Sequence, residues 1–354
     1  MARLPTPPPW LRLPRQPLFR HLLVAGLGAV VLFVLSLLFS SFNNYELGLV
    51  ATYAAAIAGL SVLTGVSGQI SLGQGAFMAV GAYTLAELQT HTSYNLVVEL
   101  LIAVALSAVA GLVIGIPATR LQGPYLAGLT LMFALALPFL SDQYASFFGG
   151  DQGLSTLPPS PPGSIDPQRW LTWIELLGAL IVMVLLANLL SSRFGRAFRA
   201  VRDDEVAAEL SGIHVARTKV IAFVVSAACA GLAGAFLALS TGVVNTGEFP
   251  VSLSIFLLAG MVLGGSGTLL GAWWGAVLVV YLPTSWSHRL ASLFHLNPLV
   301  SANLAVIVFG AFLIVMMLVA PSGIQGGVRW VGRRLLAARA PGPPGQGDVT
   351  VTNT

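Results

Sequence analysis

Charge is the scarcest commodity in this sequence. Asp, Glu, Lys and Arg together make up 8% of its 354 residues, against about a quarter in an ordinary soluble domain. A water-soluble fold of this length needs a polar surface that the chain cannot supply. Cysteine is almost absent too: Cys229 is the single one, inside an apolar run, so no internal disulfide and no thiolate metal site is expected, and Cys229 reads as a small buried hydrophobe. Missing as well are HExxH, a nucleophile paired with a base, a zinc ligand cluster and the phosphate-binding GxxxxGK[ST]. These gaps argue against catalysis and against ATP hydrolysis by this chain.

What is present is hydrocarbon: 56% of residues are hydrophobic. A span needs ~20 mostly apolar residues to cross ~30 Å of bilayer. Runs of that kind fall at 21–40, 47–64, 69–89, 96–117, 124–141, 171–190, 218–241, 252–265, 268–283 and 302–320. The expected fold is therefore an all-α polytopic membrane protein of about ten helices, some short or broken by glycine. The run after the Pro/Arg-rich start is longer than a signal-peptide core of ~7–15 residues and reads as a first span. The expected organisation is an N-terminal tail over 1–20, a membrane domain over 21–320 and a C-terminal tail over 321–354, disordered at its end.

The net charge is +4, and its placement sets orientation. Arg3, Arg12, Arg15 and Arg20 lie in the first tail, and Arg329, Arg333, Arg334 and Arg339 in the last. The segment 191–219 holds Arg193, Arg196, Arg199, Arg202, Arg217 and Lys219. Ten spans put all three regions on one face, which the positive-inside bias makes cytoplasmic. The opposite face receives the loop 142–170, whose Pro-Pro-Ser-Pro-Pro run (158–162) is expected to be extended. That loop reads as a cap over the outer mouth, a contact for an external partner, or a solvated connection.

Ionisable groups inside a membrane usually mark ion or proton routes. Glu46, Glu87, Glu99 and Glu175 all fall near expected span ends, and none mid-span. Secondary transport coupled to protons is weakened by this, though sodium coupling through backbone carbonyls and hydroxyls stays open. Uphill transport would then draw its energy from another chain.

The segment 191–217, "SSRFGRAFRAVRDDEVAAELSGIHVAR", is the long polar insert on the basic face. Asp203, Asp204 and Glu205 suit the positive N-terminal end of a short helix, and Gly212 suits its stop. Val206, Leu210 and Ile213 form an apolar stripe beside Ala207 and Ala208. Two readings fit: a helix for a groove on a partner, or one lying on anionic headgroups.

Here the sequence resembles the branched-chain amino-acid permease family of ABC importers, in its LivM-like subunit branch. Glu205-Val-Ala-Ala-Glu-Leu-Ser-Gly212 resembles the EAA-type coupling loop. "GQISLGQGAFMAVGAYT" (68–84), "TRLQGPYLAGLTLMF" (119–133), "LAGMVLGGSGTLLGAWWGA" (258–276) and "APSGIQGG" (320–327) are similar to the same family. The resemblance implies a permease in the bacterial plasma membrane with cytoplasmic termini. It implies a homologous second permease subunit, two cytoplasmic ATPase subunits carrying ATP and Mg, and an external substrate-binding protein. No cofactor on this chain and no nucleic-acid partner is implied, and lipid surrounds it. Asp203, Asp204, Glu205, Ala207, Ala208 and Gly212 would meet the ATPase, flanked by Arg199 and Arg202.

The glycine-rich break "GVSGQISLGQGAF" (65–77) interrupts apolar sequence. Irregular backbone at membrane depth requires surrounding protein or a water-filled cavity. Gly68, Gln69, Ser71, Gly73 and Gly75 therefore read as either the inner part of a solute path or a close-packed turn. Gly264, Gly265, Ser266 and Gly267 repeat the look, and Gly-x-Ser-Gly occurs at both 65–68 and 264–267. Ala222, Ser226, Ala230, Gly234 and Ala238 recur every four residues, the pattern of a tight helix–helix seam. Besides import of branched-chain amino acids, the residues leave open a permease for urea or short amides, a passive channel or secondary carrier, and a structural subunit without a solute path.

Overall fold

The computed structural model describes residues 17–92, 94–121, 123–282, 307, 310–316, 318 and 323–328. Most of the expected tails over 1–20 and 321–354, and most of the run 302–320, lie outside these residues. The described chain is helical: α1 (Pro17–Leu38), α2 (Ser41–Leu60), α3 (Gln74–His91), α4 (Leu96–Ala118), α5 (Pro124–Gln143), α6 (Ala145–Phe148), α7 (Pro167–Ser191), α8 (Arg193–Asp203), α9 (Glu205–Leu210), α10 (Val215–Thr241), α11 (Val251–Gly265) and α12 (Leu269–Tyr281). Among the described residues, six helical stretches are long and apolar enough to cross a membrane: Ser41–Val66, Leu96–Ala118, Pro124–Ser141, Pro167–Ser191, Val215–Thr241 and Thr246–Gly265. The runs 21–40 and 268–283 become helices whose apolar parts are shorter, Ala25–Leu38 and Leu269–Tyr281. The run 69–89 becomes α3, which starts only at Gln74 because 67–73 is irregular.

α10 is the axis of the bundle, packed on α2, α3 and α4; α7, α11 and α12 pack on α2, and α1 on α7. Small residues set this arrangement. A Cβ on Gly234 would overlap the Met78 carbonyl of α3, and one on Gly81 the Gly231 carbonyl of α10. The backbones thus touch, and dispersion contacts rather than a hydrophobic gradient hold helices together in lipid. Outward surfaces are apolar: Leu101 and Val113 on α4, Met132 and Phe139 on α5, and Leu177 and Leu185 on α7 are exposed.

Polar ends close the helices. Asn95 caps α4 by accepting from the Val97 N–H at 3.4 Å. Asp166 caps α7, accepting from the Gln168 N–H at 2.8 Å, with Pro167 at the first helical position. This cap starts α7 four residues before the expected 171 and places Glu175 inside the helix, two turns from its start. The expectation that Glu175 lies at a span end is therefore corrected: it is fully buried, it accepts a short hydrogen bond from Ser240 Oγ, and it faces Gly48, where a Cβ would overlap its Oε2. The two-strand pair β1 (Leu154–Ser155) and β2 (Val243–Val244) is antiparallel, with Leu154 opposite Val244. Around it the loop 142–170 is fastened down. Thr156 donates from its N–H to the Gly242 carbonyl at 2.9 Å and from Oγ1 to the Ala238 carbonyl at 2.6 Å. The Leu157 N–H donates to Gln89 Oε1 at 2.9 Å. Residues 154–157 of the loop thus form a strap over the ends of α3 and α10, while much of the remaining loop is exposed.

Candidate functional site

At the end opposite the strap, the chain gathers its irregular segments. α2 runs into a π-helical turn (Ser61–Val66), a feature frequent at functional sites. The chain then leaves the helix through Ser67–Gly73. Gly68 adopts φ 77°, a left-handed conformation that glycine enters without steric cost. Several of the freed polar groups are met by other helices or within the turn itself, as irregular backbone in a membrane protein requires, while Gln69 Oε1 is buried without a hydrogen-bond partner. The Leu72 N–H donates to Thr130 Oγ1 of α5 at 2.9 Å, and the Gly75 N–H to Ser254 Oγ of α11 at 2.9 Å. Gln74 donates from Nε2 to the Ala56 carbonyl of α2 at 2.8 Å and accepts from Ser226 Oγ of α10 at 3.1 Å. Gln69 donates from Nε2 to Ser67 Oγ at 2.8 Å and to the Lys219 carbonyl at 3.3 Å. Ser71 is buried and accepts from the Gly73 N–H at 3.3 Å.

The second glycine break meets the first. A Cβ on Gly65 would overlap the Gly267 backbone, and one on Gly267, with φ 74°, would lie 3.2 Å from the Gly65 carbonyl. Gly264 abuts the Gly271 carbonyl, and Gly265 lies against Gly323. Ser266 is exposed beside them. Gln325 Oε1 accepts from Trp274 Nε1 at 3.1 Å. The quoted stretches around 65–75, 126–130, 264–275 and 323–325 thus converge on one end of the bundle, though they are far apart in sequence.

α8 and α9 lie across this end. Gly195, Phe198 and Val201 recur every three residues and are buried, while the arginines between them point outward. Sequence reasoning placed one helix start at Asp203. The chain instead forms α8 through Asp203, and Asp204 is the cap of α9, accepting from the Val206 and Ala207 N–H groups at 2.8 and 3.0 Å. Gly212 follows at φ 82°, while the Ile213 N–H returns to the Ala208 carbonyl at 3.0 Å, a C-terminal closure of the Schellman kind.

Residues of 199–212 divide into two faces. Val206 is 68% and Leu210 86% exposed, and Ala207, Asp203 and Gly212 are exposed as well. Ala208 is buried. Glu205 pairs with Lys219 at 2.7 Å, and the Lys219 side chain is 5% exposed. Arg202 Nη1 donates to the Gly65 carbonyl at 2.6 Å. Arg199 Nη2 reaches the Leu190 carbonyl at 3.5 Å. Between these groups opens a polar cleft of about 280 Å³ lined by Gln69, Leu126, Arg202, Glu205 and Lys219. Ala222, Ser226, Ala230, Gly234 and Ala238 are all buried along α10, above this cleft.

Thr130, Ser254 and Gln325 were not singled out in the sequence. Hydroxyl and amide side chains in apolar helices were the available signal, but their partners are set by the fold. Among the described residues no group of three or more His, Cys, Asp or Glu side chains is placed to hold a metal.

Comparison with known proteins follows the same segments. The family described as the branched-chain amino acid transport system / permease component matches residues 44–317. The high-affinity branched-chain amino acid transport system permease protein LivM of Salmonella typhimurium is 33% identical over 291 residues, covering 75% of this chain and 66% of the relative. LivM of Escherichia coli K12 is 32% identical with the same coverage. The chain thus spans just under two thirds of the length of these LivM relatives. The permease protein LivH of Salmonella typhimurium is 28% identical over 306 residues, 80% of this chain and 94% of the relative. No solved structure matches. With three quarters of its length matched and its motif segments packed together, the chain belongs to the permease-component family of branched-chain amino acid transport systems.

Proposed function

We propose that this chain is the membrane-spanning permease subunit of an ATP-binding-cassette importer for branched-chain, hydrophobic amino acids, in the bacterial plasma membrane. It is a transport subunit and not an enzyme: ATP and Mg bind partner ATPases. Its partners are a homologous second permease subunit, two cytoplasmic ATPases and an external binding protein that delivers substrate. LivM and LivH relatives are both named as permease proteins of such transport systems, which supports a paired arrangement. Ten spans, with tails 1–20 and 321–354 both cytoplasmic, fit the basic residues concentrated around α8. Lipid tails fill the apolar groove of about 580 Å³ between α4 and α7, lined by Leu101, Leu177 and Leu185.

The observation that carries the reading is the outer face of α9. A capped helix of six residues displays Val206 and Leu210 where it has no core of its own to cover. An apolar pair on a short helix suits a groove on a soluble partner. Asp203 at the end of α8 and the cap residue Asp204 disfavour a bed of anionic headgroups, which attract basic rather than acidic groups. The cytoplasmic coupling helix is thus α9, with Val206, Ala207, Leu210 and Gly212 toward the ATPase. The glycine breaks at 65–75 and 264–267 form the inner end of the solute route.

The test is reconstitution of the full complex in proteoliposomes with binding protein outside and ATP inside. Leucine uptake should require ATP, and the paired variant Val206→Asp with Leu210→Asp should release the ATPases and abolish uptake. Accumulation of leucine by this chain alone, or full uptake by the paired variant, would overturn the reading.

A further inference from the structure

The carbonyl of Gly65 stands at the C-terminal end of a helix, where the last carbonyls lack intrahelical partners and carry partial negative charge. The neighbouring groups are already used: the Ser67 N–H donates to the Val62 carbonyl and the Gln69 N–H to the Leu63 carbonyl. The Gly65 carbonyl receives Arg202 Nη1, from a residue 137 positions away, at 2.6 Å. The arm that reaches it lies across Gly68, where a Cβ would come within 3.0 Å of Arg202 Cγ. Glycine at 68 therefore serves both the turn and the passage of the arginine. Gly65 is also the residue that touches Gly267, so the guanidinium is fixed to the crossing of the two breaks.

A second tie lies one turn further on. Glu205, the first residue of α9, holds the buried Lys219 of α10 at 2.7 Å. The Lys219 carbonyl in turn accepts from Gln69. The Glu205 side chain is 37% exposed, but losing it would leave the buried Lys219 ammonium without its carboxylate, so this tie also resists slipping. The α8–α9 segment is thus fastened on its inner side while its outer side presents Val206 and Leu210.

We propose that Arg202 is a positioning residue for energy coupling: with the Lys219–Glu205 pair it clasps α8–α9 to the Gly65–Gly267 crossing, so that displacement of α9 moves the two glycine breaks against each other. The proposal rests on the reading of α9 as the ATPase contact. It gives Arg202, an exposed residue at the cleft, a partner within the permease through its guanidinium, where the family resemblance had it flank the ATPase contact.

The experiment uses the complete reconstituted complex and three readouts: ATPase retention on the purified permease, ATP hydrolysis, and leucine taken up per ATP. Arg202→Ala should keep the ATPases bound while uptake per ATP falls about tenfold or more, the factor expected when one charge-assisted hydrogen bond is lost. Arg202→Lys, which retains one ammonium donor, should recover part of that ratio. Glu205→Lys and Lys219→Glu should each lower the ratio, and the two together should restore it. The clasp is overturned if Arg202→Ala releases the ATPases, if its uptake per ATP is unchanged, or if Arg202→Lys is no better than Arg202→Ala. Failure of the charge exchange to recover coupling overturns it independently of how well the Arg202 variants fold. Retention of the ATPases by Val206→Asp with Leu210→Asp would instead sink the reading of α9 itself.

Discussion

Replacing Gly234 by alanine isolates the seam between α3 and α10. The added methyl would sit on the Met78 carbonyl oxygen, carbonyl carbon and Cα. Every atom in its way is backbone, so no side chain can rotate aside and the helices must part. Overpacking of this kind costs about 1–3 kcal/mol, and a backbone obstacle puts it at the upper end. Loss of dispersion contacts along the separated seam adds to that, at ~0.1–0.2 kcal/mol per atom pair. Against this, Ala is preferred over Gly in a helix interior by about 1 kcal/mol. The net expectation is a destabilisation of about 2 kcal/mol, a roughly thirty-fold shift in the folding equilibrium. Gly128 in α5 supplies the control, because a Cβ there meets nothing within 4 Å. Gly128→Ala should be neutral or stabilising by up to about 1 kcal/mol. Denaturation of both variants by SDS in mixed micelles, followed by tryptophan fluorescence, measures the difference. If Gly234→Ala is as stable as Gly128→Ala, the close backbone contact is not what holds α3 to α10.

Asp166 accepts from Ser41 Oγ at 2.5 Å and from the Gln168 N–H, and these bonds, the Ser41 hydroxyl foremost, hold its carboxyl below the ordinary value of 3.8. The folded state therefore binds this proton less readily than the unfolded state, so the stabilisation is complete above the ordinary value and fades as pH falls through the lowered one; the melting-temperature gap between wild type and Ser41→Ala should be widest at neutral pH and narrow as pH falls below the ordinary carboxylate value. Gly48→Ala should be destabilising while Glu175 is present and much less so in Glu175→Ala, with a coupling of about 1 kcal/mol or more in a double-mutant unfolding cycle, because the new methyl would collide with the Glu175 carboxyl. Asp204→Ala removes the cap of a helix too short to persist on its own, at about 1 kcal/mol; leucine uptake should fall, and Asp204→Asn should retain it.

The helices that lipid dictates were legible, and those that the bundle's own surface dictates were not. The runs 47–64, 96–117, 124–141, 171–190 and 218–241 all lie within helices, since hydropathy alone forces spans to satisfy their backbone internally. The start of α7 was written in Asp166-Pro167, a cap followed by a first-turn proline that hydropathy overlooks. α8 escaped notice because its buried face is only Gly195, Phe198 and Val201, too sparse to stand out among arginines. For the site, the repeated Gly-x-Ser-Gly marked both halves of the crossing, but nothing in four residues says that the copies touch. The partner of Arg202 was beyond reach as well: the residue is exposed, as a base on a polar insert should be, but its guanidinium donates to a carbonyl 137 positions away. The burial of Glu175 two turns inside α7 was missed through the same four-residue error in the helix start.

The strap of 154–157 gives the bundle a fixed fulcrum. Because Thr156 and Leu157 stitch the far ends of α3 and α10 together, a pull applied near Gly65 meets resistance to lengthwise sliding of these rods. The remaining freedom is angular, like the blades of shears riveted at one end. A rod of eighteen residues such as α3 is ~27 Å long, so a tilt of a few degrees at the rivet swings its opposite tip by more than an ångström, while the stitched end stays shut.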